Sequence, residues 1–328
     1  MITLGIESSC DETSAALVKD SLEVLSCEVS SSVHLHSRFG GIIPEIASRY
    51  HLEYIVEVAQ SALKKANLKF KDIDLIAATC KPGLVGSLLV GLSFAKGLSF
   101  ALNKPFIGVN HIEAHLFSPF LGKGFVFPFI GLVVSGGHTS LALVKDFDKI
   151  RVFGHTRDDA AGEAFDKVAK ILDLGYPGGP IIDRLAATVN ESPFRFNCAR
   201  LEGSFDFSYS GIKTDVLYKV QKLNKIDKRT KARIAYSFQK AAIDIIVEKS
   251  IRACKKFRVN TLSAGGGVAC NSYLRERLKA ETQNENITFI TAETKYCLDN
   301  AAMIAALGSR LYKKGKTSSY TLTASASS

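Results

Sequence analysis

The sequence predicts an α/β protein built from two similar halves that face a shared cleft. Three observations predict it. Apolar runs of strand length alternate with stretches of helical period along most of the chain. The segment Thr13–Asp20 (TSAALVKD) returns as Thr139–Asp146 (TSLALVKD), seven of eight residues identical at an offset of 126, and Gly5 matches Gly131 at the same offset. The elements around the two copies recur in the same order, as in an internal duplication.

Taken in order, Ile2–Glu7, Thr13–Lys19 and Leu22–Val29 alternate as strands between polar turns. A helix follows over about Glu45–Asn67, with Ile46, Leu52, Ile55, Val56, Ala59 and Leu63 as its apolar stripe. Strand Ile73–Thr79, a Gly-punctuated helix Val85–Leu102 and strand Pro105–Val109 complete the first unit. After the second hairpin come helix Ala161–Leu172, an irregular insert around Tyr176–Ser210 and a long basic helix from about Lys231 to Lys256. Strand Thr261–Ala264, helix Val268–Glu281, strand Ile287–Thr291 and helix Asn300–Tyr312 close the chain. The halves are expected at 1–128 and 129–328, with an inserted basic helical segment at about 176–258.

At 328 residues, with 46% hydrophobic and 23% charged residues, the chain can bury a sizeable core, and fibrous or globally disordered classes are excluded. Its seven cysteines are odd in number, scattered and never spaced C-x-x-C, which supports neither a disulfide framework nor a zinc ribbon. The N-terminus lacks a basic region and cleavable apolar core, and no apolar run approaches the roughly 18 residues of a membrane span. A cytoplasmic protein with no membrane partner is expected. The net charge of +10 is uneven: residues 1–150 carry −1 and residues 151–328 carry +11. Most of the excess lies in Lys213–Arg258, where 14 basic residues meet 4 acidic ones. Such a patch suits a polyanion such as nucleic acid, although a Lys-rich solvated helix face has the same composition.

The two hairpin turns, Ser8–Glu12 and Ser135–His138, carry small residues that let backbone N–H groups approach phosphate oxygens. Ala264–Val268 (AGGGV), between a strand and a helix start, can pack against a nucleotide or serve simply as a permissive turn. Two histidines, His111 and His115, stand one helical turn apart and share a face, the spacing at which two imidazoles reach one metal ion. The zinc-protease pattern is rejected, because Glu113 lies at i+2 from His111, about 200° around the helix. A His pair alone is more often structural than metal-binding. Asp299, at the entry to the last helix, is the candidate third ligand, and two His with one Asp leave positions open for Fe(II) or Zn(II) chemistry. Gly315-Lys316-Thr317 is no phosphate loop, since Arg310 stands where a glycine is required. His34 and His36 fit a solvent loop, and Asp158-Asp159 reads as a cap for the helix from Ala161.

Gly5–Thr13 (GIESSCDET), His111-x-Glu113-x-His115, Val134–Thr139 (VSGGHT), Gly162–Lys167 (GEAFDK), Tyr176–Pro180 (YPGGP) and Asp299-Asn300 occur in an order that resembles the bacterial tRNA N6-adenosine threonylcarbamoyltransferase family, once misnamed glycoprotease. The resemblance runs from residue 1 to about 315. It implies the actin-like ATPase fold, in agreement with the duplication. It also implies transfer of the threonylcarbamoyl group of threonylcarbamoyl-AMP to N6 of the adenosine just 3′ of the anticodon, in tRNAs reading codons that begin with A, with release of AMP. By the same resemblance His111, His115 and Asp299 bind one iron ion (Fe2+, with Zn2+ an alternative occupant). Val133, Val134, Ser135, Gly136 and Gly137 form the substrate segment, and Asp166, Gly179, Asp183 and Asn271 contact the adenylate. The implied partners are tRNA, a smaller protein of the same fold and a P-loop ATPase.

Acyl transfer from this donor needs a proton acceptor for the adenine amine, and Asp11 or Glu12 is expected in that role. Lys222, Lys225, Lys228 and Arg229 are expected to meet tRNA. The tail Tyr320–Ser328 differs from the aromatic and basic ending common in the family and is expected to be disordered. An ATPase or sugar kinase of the same fold, or a catalytically idle interaction subunit, would leave the His pair without a purpose.

Overall fold

The computed structural model describes residues 1–223 and 225–327, the side chain of Arg38 excepted. Along the chain run β1 (Ile2–Glu7), β2 (Glu12–Lys19), β3 (Glu23–Ser31), α1 (Val33–His36), α2 (Pro44–Lys65), β4 (Leu75–Lys81), α3 (Val85–Leu102), β5 (Phe106–Asn110) and α4 (His111–Phe117). A second series follows: β6 (Phe129–Val134), β7 (Thr139–Asp146), β8 (Lys149–His155), α5 (Ala161–Ile171), α6 (Gly178–Ala186), α7 (Ser210–Gln221), α8 (Lys228–Phe257), β9 (Thr261–Gly265), α9 (Ser272–Asn284), β10 (Thr288–Thr291) and α10 (Ala301–Lys313).

The duplication is visible in the sheets. One has the order β3-β2-β1-β4-β5, the other, read from its far edge, β8-β7-β6-β9-β10. The first hairpin pairs Gly5 with Ala16 and the second pairs Gly131 with Ala142, so even the register is kept at the offset of 126. In each sheet the hairpin strand joins the next strand in parallel, β1 to β4 and β6 to β9.

Two compact units result, Met1–Val126 with Ala292–Ser328, and Phe127–Thr291. The last helix, expected with the second half, therefore belongs to the first unit. The reason is steric: a Cβ at Gly5 would lie 2.2 Å from the carbonyl of Ala301, so α10 presses its backbone onto β1 where no side chain intervenes. The small-residue run Ala301, Ala302, Ala305, Ala306 and Ser309 is buried in that contact. Asp299 thereby enters the same unit as the His pair.

The helix α2 buries Ile55, Ala59 and Leu63 as expected but turns part of the expected stripe outward. Leu52 is 70% exposed and Val56 49%, while Ala47, His51, Ile55, Val58 and Ala62 are buried. Hydrogen bonding to His51 fixes this rotation: its Nδ1 lies 2.7 Å from Thr13 Oγ and its Nε2 2.9 Å from the carbonyl of Cys10. Burying a histidine with both nitrogens satisfied outweighs exposing two aliphatic side chains. By length and composition α3 could cross a membrane, contrary to the expectation of no such run, with a mean hydropathy of 1.6 over 18 residues. It packs on α2 and β4, with Leu88, Leu92 and Ala95 buried.

The tail is ordered, not disordered as expected. The amide of Ser318 donates to Phe106 O (2.9 Å), the amide of Gly108 to Ser318 Oγ (3.0 Å), and the amide of Ser325 to Cys80 O (3.0 Å). Leu322 packs into the core of the first unit. Ser318, just before the tail, bonds the edge strand β5, and Ser325 within it takes its backbone partner from Cys80 of β4. Ser328 lies outside the described residues.

Candidate metal centre and substrate segment

His111 is the first residue of α4. Asn110 caps that helix, its side-chain oxygen accepting from the amides of Ile112 and Glu113, and this sets both imidazoles on one face. The ring centroids are 4.6 Å apart and nearly perpendicular, at 87°. Asp299 Oδ1 lies 3.0 Å from His115 Nε2 and 3.5 Å from His111 Nε2. Ligands bound at about 2.1 Å around one ion stand about 3.0–3.4 Å apart, close to the two separations that Asp299 makes with the imidazoles. All three ligand atoms lie within 4.8 Å of one another.

Behind His111 sits Glu7, fully buried at the end of β1. Its Oε2 accepts from His111 Nδ1 (2.9 Å) and Thr79 Oγ (2.6 Å), and its Oε1 from the amide of Ser9 (2.6 Å). A carboxylate on Nδ1 holds that proton there and leaves Nε2, which faces Asp299, as the nitrogen available to a metal, the arrangement that supports metal-ligating histidines. Burial alone would lower His111, but Asp299 and Glu7 overcome it and raise it to about 9. Burial holds His115 down, and its Nδ1 has no hydrogen-bond partner among the described residues. Two carboxylates around two buried imidazoles favour a cation, so the donor set fits a divalent metal. Glu7, Ser9 and Thr79 are absent from the sequence-based assignment. The signal for Glu7 is a charged residue ending an otherwise buried strand.

Of the expected proton acceptors, Asp11 is buried in the hairpin turn, its carbonyl accepting from the amide and hydroxyl of Ser32, both at 2.9 Å. Glu12 opens β2. Burial first, then the charges of Asp11 and Asp299, push its carboxyl well above the usual range, and Ser31 Oγ donates to it at 3.3 Å. His36 is not in a solvent loop: it is buried, with Nε2 3.0 Å from Ser32 Oγ and Nδ1 accepting from the amide of Ile43.

The residues expected at the adenylate all fall in the second unit, on a chain of contacts. Val133 and Val134 end β6, buried, and the Ser135–His138 turn closes through the amide of Ser135 to His138 O (2.8 Å). The amides of Gly162 and Glu163, opening α5, donate to Ser135 O and Gly136 O. Gly136, Gly137 and Gly179 have no atom within 4 Å of where a Cβ would stand, so a ligand can approach the backbone there. One turn into α5, Asp166 Oδ1 accepts from the amide of Gly178 (2.7 Å) at the start of α6. One turn beyond Gly179, Asp183 accepts from the amide and hydroxyl of Ser272 (2.9 and 2.8 Å). Asn271 caps α9, its Oδ1 accepting from Leu274 N, while its Nδ2 donates to Gln239. Gly266, at φ +92°, closes the series: a Cβ there would stand 2.3 Å from Val134 O. Three helices thus begin within this set, placing N–H groups and positive dipole ends along it. Gln239 was not assigned from sequence, whereas Gly266 lies in the Ala264–Val268 turn and Gly162 opens one of the motifs that carry the resemblance. Asp158 does not cap the helix from Ala161; it accepts from the amides of Tyr209 and Ser210 and both flanking hydroxyls, and so caps α7.

The basic stretch is smaller than its composition suggests. Lys213, Lys219, Lys240 and Lys255 are ion-paired, and Lys249 is fully buried. Lys222, Lys225, Lys228 and Arg229 are exposed and take part in no ion pair among the described residues.

The family model for TsaD, tRNA N6-adenosine threonylcarbamoyltransferase, matches residues 23–306. The tRNA N6-adenosine threonylcarbamoyltransferase of Thermosipho africanus is 52% identical over 99% of this chain and 98% of its own length, and that of Caldicellulosiruptor saccharolyticus 51% identical over 99% and 97%. Among solved structures, HypF of T. kodakarensis superposes with a TM-score of 0.65 at 15% identity, covering 96% of this chain and 48% of that one. Component A of the Acidaminococcus fermentans (R)-2-hydroxyglutaryl-CoA dehydratase gives 0.57 at 16% identity, covering 96% and 100%. At such identities the structural likeness speaks for the fold alone, the actin-like ATPase fold.

Proposed function

Because the chain belongs to the tRNA N6-adenosine threonylcarbamoyltransferase family and is a tRNA-modifying acyltransferase, we propose that it takes threonylcarbamoyl-AMP as donor and the adenosine 3′ of the anticodon as acceptor. The observation that carries this reading is the convergence of His111, His115 and Asp299, backed by the buried Glu7. These three side chains would hold one divalent ion, Fe2+ in this reading. When bound, it supplies Lewis-acid polarisation of an acyl oxygen.

The chain's own residues do the rest. Glu7 keeps a proton on Nδ1 of His111, so that Nε2 stays a ligand. Amides at Gly136, Gly137 and Gly179 and the helix starts beside them bind the phosphate of the adenylate, while Asp166 and Asp183 accept from ribose hydroxyls and Asn271 orients the nucleoside. In transfer, the N6–C bond forms and the C–O bond of the mixed anhydride breaks. AMP leaves with that electron pair, and the amine proton passes to Glu12, with Asp11 beside it. A carboxyl pushed above its usual range is a stronger base near neutral pH, which suits Glu12 to this step. Lys222, Lys225, Lys228 and Arg229 meet tRNA phosphates. A smaller protein of the same fold and a P-loop ATPase complete the cytoplasmic system.

The test is incubation with tRNA, threonine, bicarbonate, ATP and the partner enzymes, followed by nucleoside analysis. Modified adenosine is expected. ATP turnover without it favours a kinase of this fold, and no activity in any mixture favours an idle subunit. Glu12→Gln should bind the adenylate and lose transfer; unchanged turnover removes Glu12 from the mechanism.

A further inference from the structure

A concavity of about 840 Å³ lies in the second unit, and none of its lining residues is among those assigned above to metal, adenylate or tRNA. One wall is a face of α8, the other the irregular segment 190–200. On α8, Arg229, just outside the lining, is followed by Arg233, Tyr236 and Lys240 at i+4, i+7 and i+11, a single stripe about 16 Å long. Arg195 and Arg200 stand on the opposite wall, next to the half-buried ring of Phe194, which lies parallel to Phe196 at 8°.

The side chains of Arg233, Tyr236 and Asn197 make no hydrogen bond or ion pair among the described residues, although all three line the concavity. Of the acids that line the groove, two are occupied and Glu191, on the wall opposite α8, is exposed. Asp244 takes Lys240 (2.7 Å) and Arg277 (3.3 Å), and Glu248 takes Arg200 (3.6 Å). Asp227 is the cap of α8, accepting from the amide of Thr230. The surplus positive charge therefore lies at the Arg229–Arg233 end, with an unengaged aromatic one turn further on.

A single small anion is held by donors that converge on a point. Here cations and an aromatic face alternate along a line, the pattern that tracks a sugar-phosphate backbone while a base stacks. We propose that this groove binds single-stranded RNA, with phosphates along Arg229 and Arg233 and a base on Tyr236. The proposal rests on the tRNA reading above and extends its surface from Arg229 into the groove.

The test uses the full chain and a labelled anticodon stem-loop transcript, followed by fluorescence anisotropy across a salt series. Tyr236→Ala should weaken binding about tenfold, and Tyr236→Phe, which keeps the ring, should bind as the wild type. Arg233→Gln should lower the slope of log affinity against log salt by about 0.7. Thermal melting of each variant separates these effects from unfolding, and Tyr236→Phe with Arg233→Gln suffices if Tyr236→Ala fails to fold. AMP and inorganic phosphate should not displace the RNA. Wild-type affinity and slope in the groove variants, or no RNA binding by the wild type, overturn the proposal. Displacement by AMP also overturns it and marks a mononucleotide site. Loss of adenosine modification in every partner mixture overturns the transferase reading instead and leaves RNA binding by the groove measurable.

Discussion

Replacing Glu7 with Gln tests the metal centre without touching a ligand. The carboxylate accepts three hydrogen bonds, from His111 Nδ1, Thr79 Oγ and the amide of Ser9. A carboxamide has one oxygen. If that oxygen stays with the amide of Ser9, the NH2 group faces His111 and Thr79. The Thr79 hydroxyl can rotate to accept, but His111 must shift its proton from Nδ1 to Nε2, the atom that faces Asp299. Metal binding then has to expel that proton or leave two donors opposed in a fully buried site. Loss of such an outer partner costs about 10–100-fold in metal affinity, or about 1.4–2.7 kcal/mol. Titration with Co(II), followed by its visible absorption, measures this directly, and melting of the metal-free variant checks that the fold persists. Binding within about twofold of the wild type would falsify the orienting role of Glu7.

Three further expectations rest on the same structure. Neutralising Lys222, Lys225, Lys228 and Arg229 together should lower tRNA affinity and flatten its salt dependence, by about 0.9 in slope for each phosphate that is no longer neutralised, with adenylate binding intact; an unchanged slope leaves the stretch a solvated surface. Leu322→Ala should destabilise the protein by about 1–3 kcal/mol in urea unfolding, because Leu322 packs on the core of the first unit; no change would mean the tail contributes nothing. Burial works against ionisation of Asp159, yet Lys167 and Lys213, both at 2.7 Å, hold its carboxyl below the ordinary range. A lowered carboxyl contributes stability above its unfolded value, about 3.9, and loses it as pH falls through the folded one. Asp159→Asn should therefore flatten the acid limb of stability below about pH 4; an unchanged limb assigns the acid sensitivity elsewhere.

Much of the fold was legible because strands and helices differ in apolar period. The limits of β1 and α3 agree with the sequence reading, and the eight-residue repeat foretold two sheets of one order. Elements with a weak period escaped it. Strand β8 is largely exposed, α6 sits in a Gly/Pro-rich stretch, and α7 buries only Ile212 and Val216, so local pattern carried little signal in each. Part of the apolar stripe of α2, Leu52 and Val56, was misplaced because burial of His51 depends on Thr13 and Cys10, which lie far away in sequence.

By itself, the sequence determined the duplicated α/β plan and the His111/His115 pair, both written in short-range spacing. The tertiary structure decided which unit holds Asp299 and the last helix. That choice turns on a backbone approach at Gly5, nearly 300 residues from Ala301, which no local pattern records. It also revealed Glu7 behind His111, since a hydrogen bond that selects a tautomer joins residues 104 apart in sequence. Periodicity reads what neighbours along the chain bury together, and packing alone reads what distant residues must share.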